Sequence, residues 1–303
     1  MTKTTRQRII VVYNPRSSQA KKVQQEVLAV GRKLRGITLG RYEVRPTNVE
    51  DNARRLAKLL TPNDIVVSAG GDGTAAISVN ACMLSGKDVS LGVLPYGNFN
   101  DTARTFRLKK ITDVLNGEAV NAYPLDVVVD DRHWRYAMSY LTIGLFAEST
   151  RVFDEKKTRR QLRKGRSGLM FSILTLAKWY FGHRHKEFLP EFKLNNQVIP
   201  PKTSDYLAVN SRTVAKIMRS KDYYSSKQEF WSSSARLKSL PRLLGFMLRS
   251  MVWHIPGGKS NGDTLKFTTP TTVEAQVEGE YATLSNVSEI TIRKSARPLK
   301  MII

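Results

Sequence analysis

A cluster of glycines around one aspartate follows the apolar run Asp64–Ala69 and precedes a helix-like segment. Its residues are Gly70, Gly71, Asp72, Gly73 and Thr74. Glycines let the backbone approach a ligand closely and adopt positive φ. The free N–H groups of the following helix form a ready site for phosphate. Asp72 alone would repel phosphate, but it fits this place if it holds a Mg²⁺ ion that bridges phosphate groups. A plain tight turn is the alternative interpretation.

Two further polar turns also follow strand-like segments. Leu94–Asp101 contains Gly97, Asn98, Asn100 and Asp101, and Tyr13–Ser18 contains Asn14, Pro15 and Ser17. Amide, hydroxyl and carboxylate groups in these turns are suited to holding a nucleotide. Capping of the next helix would equally explain the first turn, and a simple Asn-Pro turn would explain the second.

Strand and helix patterns alternate over the first 120 residues, which predicts a doubly wound α/β domain. The predicted strands are Ile9–Tyr13, Gly40–Arg45, Asp64–Ala69 and Ser90–Pro95, and the predicted helices are Ala20–Leu34, Val49–Leu60, Thr74–Leu84 and Asp101–Phe106. Ligands of such sheets bind beyond the carboxyl ends of the strands, where both glycine turns fall.

The pattern changes near Tyr123, after which strands predominate. We therefore predict a first domain over residues 1–121 and a β-rich, sandwich-like domain over 122–303, with residues 298–303 as a strand that is a candidate to return to the first domain. The predicted β segments are Leu125–Val129, Tyr136–Leu145, Glu191–Leu194, Tyr206–Asn210, Thr264–Thr268, Val273–Val277 and Glu289–Arg293. Two helices are predicted among them, Gly168–Phe181 and Arg236–Val252, the second preceded by a serine cluster.

The order of the motifs resembles the catalytic domain of diacylglycerol kinases, which sphingosine kinases and bacterial lipid kinases share. The matching motifs are Asn-Pro-x-Ser at 14–17, Gly-Gly-Asp-Gly-Thr at 70–74 and Leu-Pro-x-Gly-x-x-Asn-Asp at 94–101. The likeness extends to Pro124-Leu125-Asp126, Ile143–Ala147, Val277–Glu280 and Pro298–Ile303. The resemblance covers essentially the whole chain.

What the resemblance implies is a two-domain kinase that binds ATP and Mg²⁺ on the first domain and a lipid in the interdomain cleft. Asp72 would hold the metal, and Glu280 would be the general base that takes the proton from the lipid hydroxyl. The implied nucleotide-binding residues are Asn14, Pro15, Ser17, Gly70, Gly71, Gly73, Thr74, Gly97, Asn98, Asn100 and Asp101. General-base assistance by a carboxylate suits an alcohol acceptor, which is a poor nucleophile. A solvated acid at a hairpin turn is the alternative for Glu280.

Four places depart from the family pattern. Asn98 stands where threonine is usual, Ala76-Ile77 replaces an Asn-Glu pair, and Glu278 replaces an aspartate. The stretch Ser220–Trp231 replaces an Asp-rich metal loop and leaves Asp222 as a weak candidate ligand.

The chain has 49 Lys and Arg residues against 26 acidic ones, a net charge of +23, so an anionic partner is expected. Basic and apolar residues mix in segments 151–186 and 236–253, as in helices that lie on anionic membranes. These segments match no nucleic-acid-binding motif, and we expect no nucleic-acid partner. The alternative is that each helix packs its apolar face on the β domain and leaves its cations in water. With a lone, buried Cys82 and no signal-peptide pattern, we expect a cytoplasmic protein at the inner face of the membrane.

Two other functions stay open at the level of sequence. One is a catalytically silent relative that binds nucleotide or lipid, which the Ala76-Ile77 departure favours. The other is a kinase for a soluble substrate, similar to NAD kinases, which share the Gly-Gly-Asp-Gly-Thr motif. The sequence does not specify which lipid is the acceptor.

Overall fold

The computed structural model describes residues 7–29, 37–154, 166–183, 189–200, 203–221 and 227–303. An α/β domain is followed by an antiparallel β-rich domain, which confirms the predicted fold class. The strands are β1 (Gln7–Tyr13), β2 (Ile37–Glu43), β3 (Ile65–Gly70), β4 (Ser90–Pro95), β5 (Ala119–Ala122), β6 (Leu125–Val129), β7 (Arg132–Ala137), β8 (Tyr140–Gly144), β9 (Phe192–Leu194), β10 (Gln197–Val198), β11 (Asp205–Val209), β12 (Thr213–Val214), β13 (Met218–Arg219), β14 (Phe230–Ala235), β15 (Gly258–Ser260), β16 (Gly262–Val277), β17 (Glu280–Lys294) and β18 (Leu299–Ile302). The helices are α1 (Ala20–Val23, continued as a π-helix over Gln24–Leu28), α2 (Val49–Leu59), α3 (Asp72–Ser85), α4 (Asp101–Phe106), α5 (Ile111–Asn116), α6 (Leu145–Asp154), α7 (Arg166–His183) and α8 (Leu240–Val252).

The first sheet has the order β2-β1-β3-β4-β18-β5 and is parallel except for β5. Successive apolar residues along a strand point to opposite faces of this sheet, so both faces are apolar. In β1, Val12 packs in a core with Leu56 of α2, whereas Val11 packs on the opposite face with Val27. Helices cover both faces of this sheet. The carboxyl ends of β1, β3 and β4 are therefore the edge at which a ligand site is expected.

The second sheet follows the order β15-β14-β11-β8-β16-β17-β6-β7, with β9 and β10 attached beside β16. Its pairings within the described residues are antiparallel. The long strands β16 and β17 change register between Lys266 and Val273, where the ladder is irregular. Leu265 before this irregularity and Val273 after it share one buried core, so the sheet folds over a common interior.

The chain crosses between the sheets at two adjacent places. It leaves the first sheet through Tyr123 and Pro124, and β18 later returns to lie between β4 and β5. Ser295 donates its N–H to the Pro124 carbonyl at 2.8 Å, and the buried Lys294 ammonium donates to the Tyr123 carbonyl at 2.7 Å and to Asn210. Hydrogen bonds therefore tie the two crossings to each other.

Replacing this buried lysine is expected to destabilise the protein. Lys294→Met keeps the apolar stem but removes the donor to the Asn210 side-chain oxygen and leaves the Tyr123 carbonyl with the Asn210 Nδ2 bond at 3.0 Å, which costs about 1–3 kcal/mol of unfolding free energy. Urea denaturation measures the change. Lys300→Met is the matched control, because the Lys300 ammonium pairs with Asp88 at an exposed position. Equal stability of the two variants would contradict the role given to Lys294.

The effect should also depend on pH. Burial lowers the pKa of Lys294 from 10.5 to about 7. Between these values the unfolded chain binds a proton that the folded protein does not, so the contribution of this lysine to stability falls as the pH drops. The stability difference between wild type and Lys294→Met should therefore be wider at roughly pH 9 than at roughly pH 7.

One strand prediction was wrong in the β-rich domain, and one helix was missed. The single strand predicted over Tyr136–Leu145 is two strands, β7 and β8, because the backbone of Ser139 bonds instead to Glu278 and to residues after β11. The helix α6 was not predicted. Its start is set by tertiary structure, since the buried Asp205 carboxylate accepts the N–H of Phe146 at 2.8 Å.

The helix predicted over Arg236–Val252 starts later than expected. The serine cluster that precedes it, Ser232, Ser233 and Ser234, lies in strand β14 and pairs with β11. The helix begins at Leu240, with Pro241 in its first turn. Elements α5 and β5 were missed as well.

The basic residues between 155 and 165 and the candidate ligand Asp222 lie outside the described residues. Among the residues that the structure describes, no helix is both long enough and apolar enough to cross a membrane.

Candidate active site

The glycine cluster forms the junction between β3 and α3. Gly71 caps the N-terminus of α3, whose first residue is Asp72. The Thr74 side chain lies so close to Gly70 that a Cβ atom there would overlap it. The loop therefore needs glycine at this position, and α3 directs its N-terminal N–H groups toward the ligand edge of the sheet.

The loop after β4 packs directly on this junction. Gly97 approaches Gly71 so closely that a Cβ atom on Gly97 would overlap the Gly71 Cα atom and lie 2.7 Å from Asn100 Oδ1. Asn100 holds Gly97 from both sides, because its Oδ1 accepts the Gly97 N–H at 2.8 Å and its Nδ2 donates to the Gly97 carbonyl at 2.7 Å. The two predicted glycine turns thus form one surface.

Substitution of Gly97 tests this packing. Gly97→Ala should push the two loops apart, lower stability by about 1–3 kcal/mol and abolish nucleotide binding. Thermal unfolding and calorimetric titration with ATP measure the two effects. Gly258→Ala serves as the control, since no atom outside its immediate neighbours lies within 4 Å of a Cβ atom at Gly258. Unchanged ATP affinity in Gly97→Ala would remove this loop from the nucleotide site.

Asp72 links the two loops by hydrogen bonds. Its Oδ2 accepts the N–H of Asn100 at 2.9 Å, and its Oδ1 accepts the N–H of Asp101 at 2.8 Å. Burial, together with the charge of Asp101, raises the pKa of Asp72 to about 6. Asp72 therefore has a structural role in addition to the metal-binding role expected from the sequence.

Asp101 supplies a second carboxylate to this region. Its Oδ1 accepts from the Thr213 hydroxyl at 2.8 Å and from the Lys216 N–H at 2.9 Å. Its Oδ2 is buried and has no hydrogen-bond partner within the described residues, and burial raises the pKa of Asp101. A buried carboxylate oxygen near Asp72 that lacks a hydrogen-bond partner among the described residues suits a divalent cation. Among the described residues no cluster of three or more acidic, histidine or cysteine side chains could hold a metal by itself.

Glu280 reaches the glycine loop from the other domain. It is the first residue of β17, just after the turn at Glu278 and Gly279. A Cβ atom at Gly73 would lie 3.1 Å from Glu280 Cδ and would overlap its Oε1. The carboxylate therefore contacts the Gly73 backbone, and it is half-buried rather than enclosed.

Glu278 lies deeper in the same junction and was noted in the sequence only as a departure from a motif. Its carboxylate accepts the Ser139 N–H and, at 3.1 Å, the Thr102 hydroxyl, and Thr102 also bonds to the Ser139 hydroxyl. Burial raises the pKa of Glu278 to about 8. Because this carboxyl is enclosed and already hydrogen-bonded, it joins the domains and is not accessible to a substrate.

Tyr140 and Thr102 are two residues of this junction that sequence reasoning missed. Tyr140 is buried, and its pKa is raised by burial and by the charges of Asp101, Asp72 and Glu278. Thr102 stands directly after the second motif. Its adjacency to Asp101 was the available signal for Thr102, whereas no sequence signal pointed to Tyr140.

The remaining predicted residues lie at the rim of the site. In the loop after β1, Asn14 Oδ1 accepts the Arg16 N–H and the Ser17 N–H bonds to the Asn14 carbonyl, while Pro15 and Ser17 are exposed. Asn98 is exposed as well. The sheet order places the Asn14 loop one strand from Gly70, at the same edge.

Ala76 and Ile77, the departure that favours a silent relative, are buried in the core of the first domain. They lie in α3 beyond the glycine cluster and contribute apolar packing in this chain.

The architecture identifies a class of two-domain α/β proteins in which a second domain closes over the carboxyl ends of parallel strands. Within that class, the model of the diacylglycerol kinase catalytic domain matches residues 8–126 of this chain. The resemblance found in the motifs is confirmed for this part of the chain.

Individual relatives agree with this assignment. A diacylglycerol kinase of Staphylococcus saprophyticus is 30% identical over 128 residues, which cover 41% of this chain and 38% of the relative. The chain spans less than half the length of the curated relatives that it matches, 47% of one and 38% of another. The crystal structure of a diacylglycerol kinase from Bacillus anthracis str. Sterne matches 98% of this chain and 96% of its own with a TM-score of 0.65. At 11% identity this last similarity shows a shared fold.

Proposed function

We propose that the protein transfers the γ-phosphoryl group of ATP to a hydroxyl group of a membrane lipid, with diacylglycerol or a similar lipid alcohol as the acceptor. The observation that carries the proposal is the contact between Glu280 and Gly73. In this contact a half-buried carboxylate of the β-rich domain lies against the glycine loop of the α/β domain.

The chemistry assigned to Glu280 is proton removal from the acceptor. The lipid oxygen forms a bond to the γ-phosphorus, the bond from that phosphorus to the β–γ bridging oxygen breaks, and the hydroxyl proton passes to Glu280. ADP leaves with the electron pair of the broken bond. Glu278 is excluded from this role by its burial and by its bonds to Ser139 and Thr102.

Nucleotide binding is assigned to the surface formed by the two glycine loops. Gly71 and Gly97 let the two loops pack into one surface, and the N-terminus of α3 offers N–H donors to phosphate groups there. Asp72 and the Asp101 Oδ2, which has no hydrogen-bond partner among the described residues, would hold Mg²⁺. Such an ion would offset the negative charge of the phosphate groups. Asn14 and Ser17 lie at the same edge and would contact the nucleotide from the neighbouring strand.

Incubation of the protein with γ-labelled ATP, Mg²⁺ and a bacterial lipid extract tests the proposal. Label is expected in the organic phase, and the mass of the product identifies the acceptor lipid. Label in an aqueous product would indicate a soluble-substrate kinase. Absence of transfer together with retained ATP binding would indicate a silent relative.

A lipid acceptor requires the enzyme to work at a membrane, and we assign it to the inner, anionic surface. The excess of cations supports this location, because a basic residue near a negative surface contributes about 1 kcal/mol of attraction. Most of segment 151–186 lies outside the described residues or has side chains that are not described, whereas segment 236–253 is described throughout.

A further inference from the structure

Helix α8 is apolar on its buried inner face and on the exposed outer face beside it. Its inner face packs on the β domain through the buried residues Phe246 and Ser250 and the partly buried Leu243 and Met247. Its outer face carries four apolar residues spaced four apart, which places them in one stripe along the helix. The exposed fractions of their side chains are 38% for Leu240, 58% for Leu244, 65% for Leu248 and 55% for Val252. Trp253, directly after the helix, is 71% exposed.

The exposure of this stripe does not come from a fraying helix, because both ends are anchored. Before the helix, buried Leu237 donates its N–H to the Ser204 hydroxyl at 2.8 Å, and its carbonyl accepts from the Tyr180 hydroxyl at 3.0 Å. After the helix, buried Ile255 donates to the Arg219 carbonyl at 2.9 Å and accepts from Trp231 Nε1 at 3.0 Å. An ordered helix that presents a continuous apolar stripe to water marks an interaction surface.

We propose that the outer face of α8 inserts into the interfacial region of an anionic bilayer. The inference rests on the proposed lipid-kinase function, and it names the surface and the mode of attachment. The outer face of α8 is defined here by Leu240, Leu244, Leu248, Val252 and Trp253.

The charge of segment 236–253 favours a bilayer over other binding partners for the outer face of α8. Segment 236–253 contains Arg236, Lys238, Arg242 and Arg249 and no acidic residue. A helix with an apolar face, flanking cations and a terminal tryptophan has the composition of an interfacial helix. A second copy of this chain would bring another +23 charge to the contact and is disfavoured by repulsion, whereas anionic lipid headgroups attract it.

The position of α8 also connects it to the active site. The hairpin formed by β12 and β13 links them: at one side Thr213 and Lys216 bond to Asp101, and at the other Arg219 bonds to Ile255 after the helix. Ile217 at the turn of this hairpin is also an exposed apolar residue. Insertion of α8 would therefore hold the acidic loop of the active site near the membrane surface, where the lipid hydroxyl lies.

Co-sedimentation with vesicles tests the proposal directly. The triple variant Leu244→Gln, Leu248→Gln, Val252→Gln removes the apolar stripe while keeping good helix formers on an exposed face. Its matched control is Leu59→Gln, Leu84→Gln, Val198→Gln, since these apolar residues are also exposed but lie elsewhere. For vesicles of equal parts phosphatidylglycerol and phosphatidylcholine, affinity should fall at least about tenfold in the first variant and stay unchanged in the control. Equal affinity of the two variants, or a wild type that does not bind these vesicles, would overturn the proposal.

Quenching by brominated lipids gives a second measurement that needs no change in the helix. Trp253 is one of four tryptophans, and its fluorescence should be quenched when the protein binds anionic vesicles that carry bromine in their acyl chains. The quenched fraction should drop in Trp253→Phe. Unchanged quenching in that variant would show that Trp253 does not enter the bilayer and would overturn the proposed mode of attachment.

Two further measurements distinguish a failure of the docking proposal from a failure of the proposed lipid-kinase function. Sedimentation velocity without lipid reports self-association. A dimer that becomes monomeric in the triple variant, with unaltered vesicle binding, would assign the face to contacts between copies and overturn the proposal. Transfer to a short-chain, water-soluble diacylglycerol tests the lipid-kinase function alone. Its absence in the wild type would reject that function whatever the vesicle result, whereas a defect of the triple variant confined to vesicle-embedded substrate supports the docking role.

Discussion

Glu280→Gln should lower the rate of phosphoryl transfer on the order of 10²–10⁴-fold, the usual contribution of a general base. The amide keeps the size of the side chain next to Gly73 but cannot accept the proton of the acceptor hydroxyl. ATP affinity should change little, because Glu280 is expected to act on the acceptor. Steady-state turnover with a soluble diacylglycerol, together with calorimetric titration of ATP, measures both quantities.

Glu289→Gln is the matched control for this variant. Glu289 lies on the same strand, β17, but farther along it from the turn at Gly279, and its carboxylate pairs with the Lys266 ammonium at 3.2 Å. Its substitution should leave turnover within about twofold, since an exposed ion pair contributes little to stability. If Glu280→Gln mainly weakened ATP binding, or turned over as fast as Glu289→Gln, proton removal would have to be assigned to another group.

Asp72→Asn should reduce transfer on the order of 10²–10³-fold at saturating ATP, the scale found when one electrostatic contact to a transition state is removed. The substitution removes the negative charge that would hold Mg²⁺. It also places an NH₂ group where one of the N–H groups of Asn100 and Asp101 now donates to a carboxylate oxygen. A modest loss of thermal stability should therefore accompany the loss of activity.

A Mg²⁺ titration separates the two roles of Asp72. A raised Mg²⁺ requirement for activity identifies metal binding, whereas a lowered unfolding temperature in the absence of Mg²⁺ reports the loop contacts. Asp88→Asn is the control, because the exposed Asp88 pairs with Lys300 near the start of β4, away from the carboxyl ends of the strands. Turnover near the wild-type rate in Asp72→Asn at saturating Mg²⁺ and ATP would contradict the metal-binding assignment.

The first domain could be predicted from sequence because its signals are local. β3 is a continuous apolar run, and the glycines at 70, 71 and 73 mark the place where it turns into α3. β4 and α4 lie where their patterns predicted them. Strand and helix alternation then leaves few possible topologies, and it places both glycine loops at one edge of the sheet.

The second domain was harder to predict because its elements depend on distant partners. The serines of β14 have a weak strand signal by themselves, and their backbone groups are satisfied by β11 on one side and β15 on the other. Helix α6 begins where Asp205, far along the chain, accepts the Phe146 N–H. Propensity carries no information about such partners, so tertiary contacts override it.

The sequence by itself determined which groups are available for chemistry: two glycine loops, Asp72, Asp101 and Glu280, in an order that resembles one kinase family. Only the tertiary structure decided how they meet. Gly97 contacts Gly71 because β3 and β4 are neighbours in register, and Glu280 contacts Gly73 because the turn between β16 and β17 lies against the first domain. It also decided that Glu278 is enclosed while Glu280, two residues on, stays accessible. Glu278 lies in the turn with a φ of 54°, and its carboxylate is enclosed by bonds to Ser139 and Thr102, which belong to elements far apart in the chain. Glu280 begins β17 and lies against Gly73 instead, and no local pattern in the sequence distinguishes these two environments.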